Sequence, residues 1–301
     1  MIQLCLLGCG LMGVPMARRL LASGFPLIVW NRTRAKADAL QAEGASVAAT
    51  PAEAVRNADI VITMLEDGGV VGDVLFGQGC GSTPRFKPGA LVIDMSSILP
   101  EQARDHALRL HPLGVTALDA PVSGGTLGAQ AGTLAIMAGG RAEDFERARP
   151  VLEVLGRPVH VGPTGSGQLA KLANQMIVGI TIGAVAEALL MAERGGADPA
   201  RVREALRGGF AESRILEVHG QRMVEGDFAK RGSLAIQLKD LRNAMHTAQT
   251  MHFDAPITAH LSALYAEAAT HGLAELDQSA LFCELQRRQT GNMPGPETAS
   301  I

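Results

Sequence analysis

Aromatic residues are scarce in this 301-residue chain, which has one Trp, one Tyr and eight Phe. With only Trp30 and Tyr265 beside the phenylalanines, a surface for stacking nucleic-acid bases is poorly supplied. A basic excess is missing too: 27 Lys and Arg stand against 30 Asp and Glu, for a formal net charge of -3. No basic segment stands apart to follow a phosphate backbone, so nucleic acid is not an expected partner. The four cysteines, Cys5, Cys9, Cys80 and Cys283, are too few and too scattered for a disulfide framework and read as thiols of a reducing cytoplasm. The histidines form no HxH or HExxH spacing and the cysteines no CxxC, so no metal site is expected. No uninterrupted run of about 18 apolar residues occurs, and the apolar start MIQLCLLGCGLMG has neither a basic n-region nor a cleavage pattern. The chain therefore reads as soluble and cytoplasmic, with no membrane partner.

Glycine, by contrast, is abundant: 35 of 301 residues, against roughly 7% in average usage. With 47% hydrophobic residues and no G-X-Y period, collagen-like and low-complexity classes are excluded. The length suits about two domains. In the first half, short apolar runs at 3–7, 27–30, 60–64, 91–95, 116–119, 134–137 and 159–161 alternate with charged helical patterns at 34–43, 100–111 and 142–155. Apolar strands separated by helices indicate a parallel sheet covered on both faces, a Rossmann-type doubly wound α/β domain expected over 1–163. After Gly167 the strands stop. Residues 168–194 hold no proline and read as one long helix, roughly 40 Å at ~1.5 Å per residue. Asp198 looks like an N-cap before Pro199, and 233–251 and 256–271 supply further amphipathic helices. An all-α domain over 164–289 is expected, joined through the long helix. Residues 290–301, polar with Gly and Pro, read as a disordered tail.

Gly8, Gly10 and Gly13 form GxGxxG between the first strand and a helical pattern. There the first glycine permits the turn, the second admits a pyrophosphate, and the third lets helix meet strand, with the amides of Leu11 and Met12 at the helix N-terminus. The second strand ends in Asn31, Arg32 and Thr33, where an NAD enzyme usually carries a carboxylate for the ribose 2′-OH. A guanidinium and a hydroxyl suit a 2′-phosphate instead, so NADP(H) is favoured and NAD(H) remains possible. Met64 and Leu65 close a strand at its carboxyl edge, where open α/β sheets bind ligands.

DAPVSGG at 119–125, GTLAIMAGG at 132–140 and GSGQLAKLAN at 165–174 resemble, together with GCGLMGVPMA at 8–17, the β-hydroxyacid dehydrogenase family. The resemblance extends to VIDMSSILP at 92–100 and LKDLRNA at 238–244, and so over nearly the whole chain. Within the family, KLANQMIV, RGGFAESRIL and DQSAL look most like the tartronate semialdehyde (2-hydroxy-3-oxopropionate) reductases. The resemblance implies Lys171 as acid for reduction and base for oxidation, and Ser123, Gly124 and Gly125 as a cradle for the substrate carboxylate. It also implies substrate contact by Asn174 or Gln175, and cofactor contact by Ser97 and Lys239. Chemistry agrees on the first point: hydride transfer to an aldehyde leaves an alkoxide that needs a proton donor. Asn174 and Gln175, at i+3 and i+4, share the lysine's helix face, and the division of work between them stays open. Glu66 stands where many relatives have Pro, and Arg214 is a weaker candidate for substrate charge.

The implied activity is NAD(P)H-dependent reduction of a short 3-oxo acid to a 3-hydroxy acid by a homodimer or homotetramer. Alternatives are a 3-hydroxyisobutyrate dehydrogenase, a broad succinic or glyoxylic semialdehyde reductase, or a catalytically silent dinucleotide-binding module.

Overall fold

The computed structural model describes residues 2–77 and 85–291; Cys80 and the expected tail beyond 291 lie outside them. The chain divides into two compact units, Met1–Lys171 and Leu172–Ile301, with the division falling inside one helix.

The first unit is built on a nine-stranded sheet. Its strands are β1 (Leu4–Leu7), β2 (Leu27–Trp30), β3 (Ser46–Val47), β4 (Ile60–Thr63), β5 (Leu91–Asp94), β6 (Thr116–Asp119), β7 (Val122–Ser123), β8 (Leu134–Gly139) and β9 (Gly156–Gly162). The order β3-β2-β1-β4-β5-β6 is wholly parallel and reverses direction of travel between β1 and β4, the switch point of a dinucleotide-binding sheet. Around it lie α1 (Gly13–Ala22), α2 (Arg34–Asp38), α3 (Pro51–Val55), α4 (Gly68–Phe76), α5 (Pro100–Leu110), α6 (Gly125–Ala131) and α7 (Ala142–Leu155).

Alternation along the strands decides which helix each face receives. Leu4 and Leu6 of β1, with Ile60, Ile62, Leu91 and Ile93, pack into one core with Met16 and Leu20 of α1 and Phe145 and Leu152 of α7. Cys5 and Leu7, with Val61 and Val92, face a second core containing Val55 of α3, Val71 and Leu75 of α4 and Leu110 of α5. Cys9 joins the first core, so Cys5 and Cys9 are thiols buried on the two faces of the sheet.

The sheet is not parallel throughout, which corrects the sequence expectation. β8 runs antiparallel to β6 and β7, because the link from β6 turns back through Ser123–Gly125 and the short α6 instead of completing a crossover. Gly124 makes that return possible at φ 136°, a conformation that side chains with a Cβ rarely adopt.

The second unit is helical: the body of α8 (Ser166–Arg194), then α9 (Pro199–Leu206), α10 (Arg214–Glu225), α11 (Leu234–Thr250), α12 (Pro256–Ala268) and α13 (Leu281–Thr290). Asp198 caps α9 by accepting from the Ala200 amide, with Pro199 at the first position, and Ser233 caps α11 through the Ile236 amide. Ile182, Ala186 and Leu189 of α8 are buried against Leu241 of α11, Tyr265 of α12 and Leu281 of α13. Gly179 and Gly183 permit this approach: a Cβ at Gly179 would meet Gln237 and Leu241, and one at Gly183 would meet Leu261. Averaged over a window, the hydropathy of α8 reaches 1.8, enough by length and composition to cross a membrane. No uninterrupted apolar run marks it in the sequence, because Lys171, Asn174, Gln175 and, further along, Glu187 divide the apolar stretch. In the fold this helix is the central core element of the second unit.

Candidate active site

The phosphate-loop candidates sit where β1 passes into α1. Gly8 has φ 109°, and a Cβ there would collide with the Met64 carbonyl; one at Gly13 would collide with the Gly8 carbonyl. Gly10 has nothing within 4 Å of a built Cβ, so its backbone borders open space. Two glycines are thus required by protein packing and the middle one leaves room for a ligand, the division of labour a pyrophosphate loop needs. Leu11 is exposed and Met12 half-buried at the start of α1, where the Val14 amide donates to the Gly10 carbonyl at 3.1 Å and Pro15 carries no N–H. These residues fit a dinucleotide phosphate.

Asn31 braces this loop. Its Oδ1 accepts from the Cys9 amide at 2.9 Å and its Nδ2 donates to the Thr33 carbonyl at 2.9 Å. Arg32 and Thr33 follow, both exposed, and Arg34 pairs with Asp38 at 3.3 Å. Met64 and Leu65 are half-buried beyond β4, with the Leu65 amide donating to Ser96 Oγ at 2.9 Å. Glu66 is exposed and Ser97 half-buried.

Three neighbouring strands end in polar residues in matching register: Thr63, Asp94 and Asp119. The Thr63 hydroxyl donates to Asp94 Oδ1 at 2.7 Å, and the Ser96 amide donates to the same oxygen at 3.0 Å. Asp94 Oδ2 is buried without a hydrogen-bond partner. Burial pushes the Asp94 carboxyl up to about 6, against the lowering effect of the Ser96 and Thr63 hydrogen bonds, and nearby Asp119 adds to the rise.

Asp119 anchors the start of α8. Its Oδ1 accepts from the Gly165 amide at 2.7 Å and its Oδ2 from the Gln168 amide at 2.8 Å, a carboxylate set on a helix N-terminus. Burial raises its carboxyl despite these amide bonds. Gly167 lets the helix press this close, since a Cβ there would strike the Asp119 and Met137 carbonyls. Anchored this way, α8 carries Lys171 one turn beyond Gln168. The half-buried Lys171 Nζ donates to the Val122 carbonyl at 2.8 Å, immediately before Ser123, Gly124 and Gly125. The structure therefore brings the lysine and the SGG turn together.

One turn on, Asn174 Nδ2 donates to Gln175 Oε1 at 2.8 Å. Gln175 is buried, and its Nε2 donates to Asp240 Oδ2 at 2.7 Å and to Gln237 Oε1 at 3.1 Å. Both ends of the Gln175 amide are engaged within the second unit, whereas Asn174 is half-buried. Lys239 pairs with Asp240 at 3.3 Å. Arg214 lies 73% exposed and pairs with Glu217, a surface placement. Among the described residues no group of three or more His, Cys, Asp or Glu is arranged to hold a metal ion.

Sequence reasoning assigned no task to Asp94, Asp119 or Gln168, although all three lie inside motifs it singled out. For the two aspartates the available signal was a polar residue closing each of three neighbouring strand runs, IVIT, LVID and TALD.

Comparison with known proteins adds the following. Residues 3–165 match the family described as the NAD binding domain of 6-phosphogluconate dehydrogenase. Residues 165–285 match that described as NAD-binding of NADP-dependent 3-hydroxyisobutyrate dehydrogenase. The chain is 44% identical over 285 residues to the 2-hydroxy-3-oxopropionate reductase of Escherichia coli strain K12, covering 94% of this chain and 97% of that protein. Among solved structures, the 3-hydroxyisobutyrate dehydrogenase of Mycobacterium tuberculosis with L-serine superposes with a TM-score of 0.85 at 33% identity, covering 95% of this chain and 99% of that one. A structure of Psf3 in complex with NADP+ and 2-OPP gives 0.86 at 27% identity, covering 94% and 99%.

Proposed function

The chain belongs to the 3-hydroxyisobutyrate dehydrogenase-like family of β-hydroxyacid dehydrogenases, and from that premise we propose that it reduces a short 3-oxo acid of the tartronate semialdehyde type to its 3-hydroxy acid. It is an NAD(P)-dependent dehydrogenase acting on CH–OH groups. When bound, the nicotinamide supplies the hydride that reaches the carbonyl carbon.

The protein's own residues do the rest. Ser123, Gly124 and Gly125 receive the substrate carboxylate through the Ser hydroxyl and backbone N–H groups. Lys171 gives its proton to the developing alkoxide oxygen, and takes one back in the oxidative direction. The observation that carries this reading is the 2.8 Å bond from Lys171 Nζ to the Val122 carbonyl, which holds the ammonium beside that turn. Asn174 is the substrate contact of the Asn174–Gln175 pair, because Gln175 is tied to Gln237 and Asp240. Gly8, Gly10, Leu11, Met12 and Gly13 hold the pyrophosphate, and Asn31 keeps that loop in place. Met64, Leu65, Ser97 and Lys239 belong to the cofactor's surroundings. NADPH is favoured: Arg32 and Thr33 stand exposed after β2, where no carboxylate opposes a 2′-phosphate. A homodimer or homotetramer fits the exposure of Ile177 and Met191 on α8, 66% and 73%.

A second reading, 3-hydroxyisobutyrate dehydrogenase, draws support from the C-terminal family match and the Mycobacterium tuberculosis structure. The deciding assay follows NADPH and NADH oxidation with tartronate, methylmalonate and succinic semialdehydes and glyoxylate. Tartronate semialdehyde is expected to give the highest kcat/KM, with Lys171→Ala lowering kcat by about 100-fold or more and Arg32→Asp raising KM for NADPH far more than for NADH. Full activity in Lys171→Ala would remove the proton-transfer role.

A further inference from the structure

Ser97 sits in the turn after β5, and a single side chain grips the backbone on both sides of it. Gln168 Oε1 accepts from the Ile98 amide at 3.1 Å, and Gln168 Nε2 donates to the Ser96 carbonyl at 2.8 Å. The side chain is fully buried. It pairs with residues 96 and 98 as a neighbouring strand would, leaving Ser97 between two fixed points. The Gln168 backbone amide meanwhile donates to Asp119 Oδ2, and Lys171 follows one helical turn later. One residue is thus bonded to the Ser97 turn and to the anchor of the helix that carries the lysine. An apolar side chain could fill the space, but only a carboxamide presents an acceptor and a donor side by side for these two backbone groups.

We propose that Gln168 is a positioning residue that holds the Ser97 turn and Lys171 in one register, so that seating a nicotinamide cofactor against that turn also sets where the ammonium stands. The inference rests on the proposed roles of Lys171 and Ser97, and its test separates the two levels. Gln168→Leu removes both bonds. Gln168→Glu keeps the acceptor for Ile98 but opposes the Ser96 carbonyl with a carboxylate oxygen, and protonation of that carboxyl restores the second bond. Asp94 and Asp119 face this turn from the sheet, Arg104 approaches Gly165 from α5, and Lys171 lies one turn away. Burial and the two aspartates raise the introduced carboxyl toward neutral pH, against the two cations.

NADPH affinity is titrated by the fluorescence of the reduced nicotinamide, without turnover, and kcat and KM are measured from about pH 5.5 to about pH 8.5. Gln168→Leu is expected to weaken NADPH binding about 10-fold and to lower kcat by a similar factor, as two buried backbone groups lose their partners. Lys171→Ala is expected to bind NADPH like wild type. For Gln168→Glu, affinity and kcat relative to wild type should rise about 10-fold as pH falls, a change that loss of packing alone does not produce. The same ratio measured in an Asp94→Asn background separates the introduced carboxyl from the titration of Asp94, which the two groups otherwise share. Wild-type NADPH affinity and kcat in Gln168→Leu overturns the proposal, as does a Gln168→Glu ratio that is flat with pH. If no substrate is turned over even by wild type, the functional reading fails, while the pH dependence of the binding ratio still decides the role of Gln168.

Discussion

Both units bury carboxylates, but they neutralise them differently. In the first unit Asp94 and Asp119 are 7% and 2% exposed, and their observed partners are neutral: the Thr63 hydroxyl and the amides of Ser96, Gly165 and Gln168. Burial prevails, and both carboxyls are raised. In the second unit Asp277 and Glu284 are fully buried against cations. Arg222 Nη1 lies 3.0 Å from both oxygens of Asp277, with His219 at 3.5 Å, while Arg287 and His271 reach Glu284 at 2.7 and 2.8 Å. Burial pushes these two up as well, but His219, Ser279 and Arg222 outweigh it at Asp277, and Arg287 and His271 do so at Glu284, so both are held below the usual range. The second unit uses charge to lock helices together. The first leaves Asp94 and Asp119 short of countercharge at the carboxyl ends of neighbouring strands, the edge at which open α/β sheets bind ligands, a placement with a cost to stability that suits a site built for binding.

The chain offers a separate reporter for each unit, Trp30 in the first and Tyr265 in the second. The largest expected effect comes from Arg222→Met, which takes the arginine from a buried Asp277 and leaves that carboxylate to His219 and Ser279; it should cost about 3–5 kcal/mol, seen as a lowered Tyr265 unfolding midpoint in urea. An equal shift of the Trp30 transition would break the comparison, because the two carboxylate systems would then belong to one cooperative block.

Asp119→Asn is smaller. The substituted amide accepts one of the two helix-start N–H groups and opposes the other with its own donor, a loss of about 1–3 kcal/mol expected in the Trp30 transition. Stability equal to wild type would show that the anchor rests on packing around Gly167 alone.

Asp94→Asn is the smallest at neutral pH and the sharpest in sign. The folded carboxyl, at about 6, lies above its ordinary 3.8, so the folded state holds its proton more tightly than the unfolded chain does. That stabilisation is complete below about pH 4 and is lost as pH rises to about 6. Asp94→Asn should flatten the wild-type decline across that window and match or slightly exceed wild type at pH 7. Asp277 behaves in reverse, its contribution present above about pH 4 and lost below. A Trp30 stability profile that rises between pH 4 and 6 in wild type would contradict the raised Asp94 carboxyl.

Much of this was legible in the residues. The strand–glycine–helix start, the helix over 142–155 and the Asp198–Pro199 cap follow from local sterics and capping chemistry, which act over a few residues and leave local patterns. The antiparallel return of β8 was not legible, since apolar runs of four to six residues look alike in either direction. Gln168 was passed over for a related reason: its partners at 96 and 98 are about 70 residues away, and nothing near it in the chain marks a buried amide. Gln175 illustrates the same limit from the other side. Its spacing from Lys171 suggested a ligand contact, and its packing against α11 engaged the amide elsewhere.

The sequence by itself determined the class of fold, the glycine turn between β1 and α1 and the family, because glycine at a positive φ or a steric pinch, periodic apolar spacing and ordered motifs are written locally. Only the tertiary structure decided what surrounds Lys171. The row Thr63–Asp94–Asp119 forms by strand register, the helix start is fixed by Asp119, and the lysine is turned onto the Val122 carbonyl. Such bonds join residues far apart in the chain, and their strength comes from the exclusion of water that folding creates.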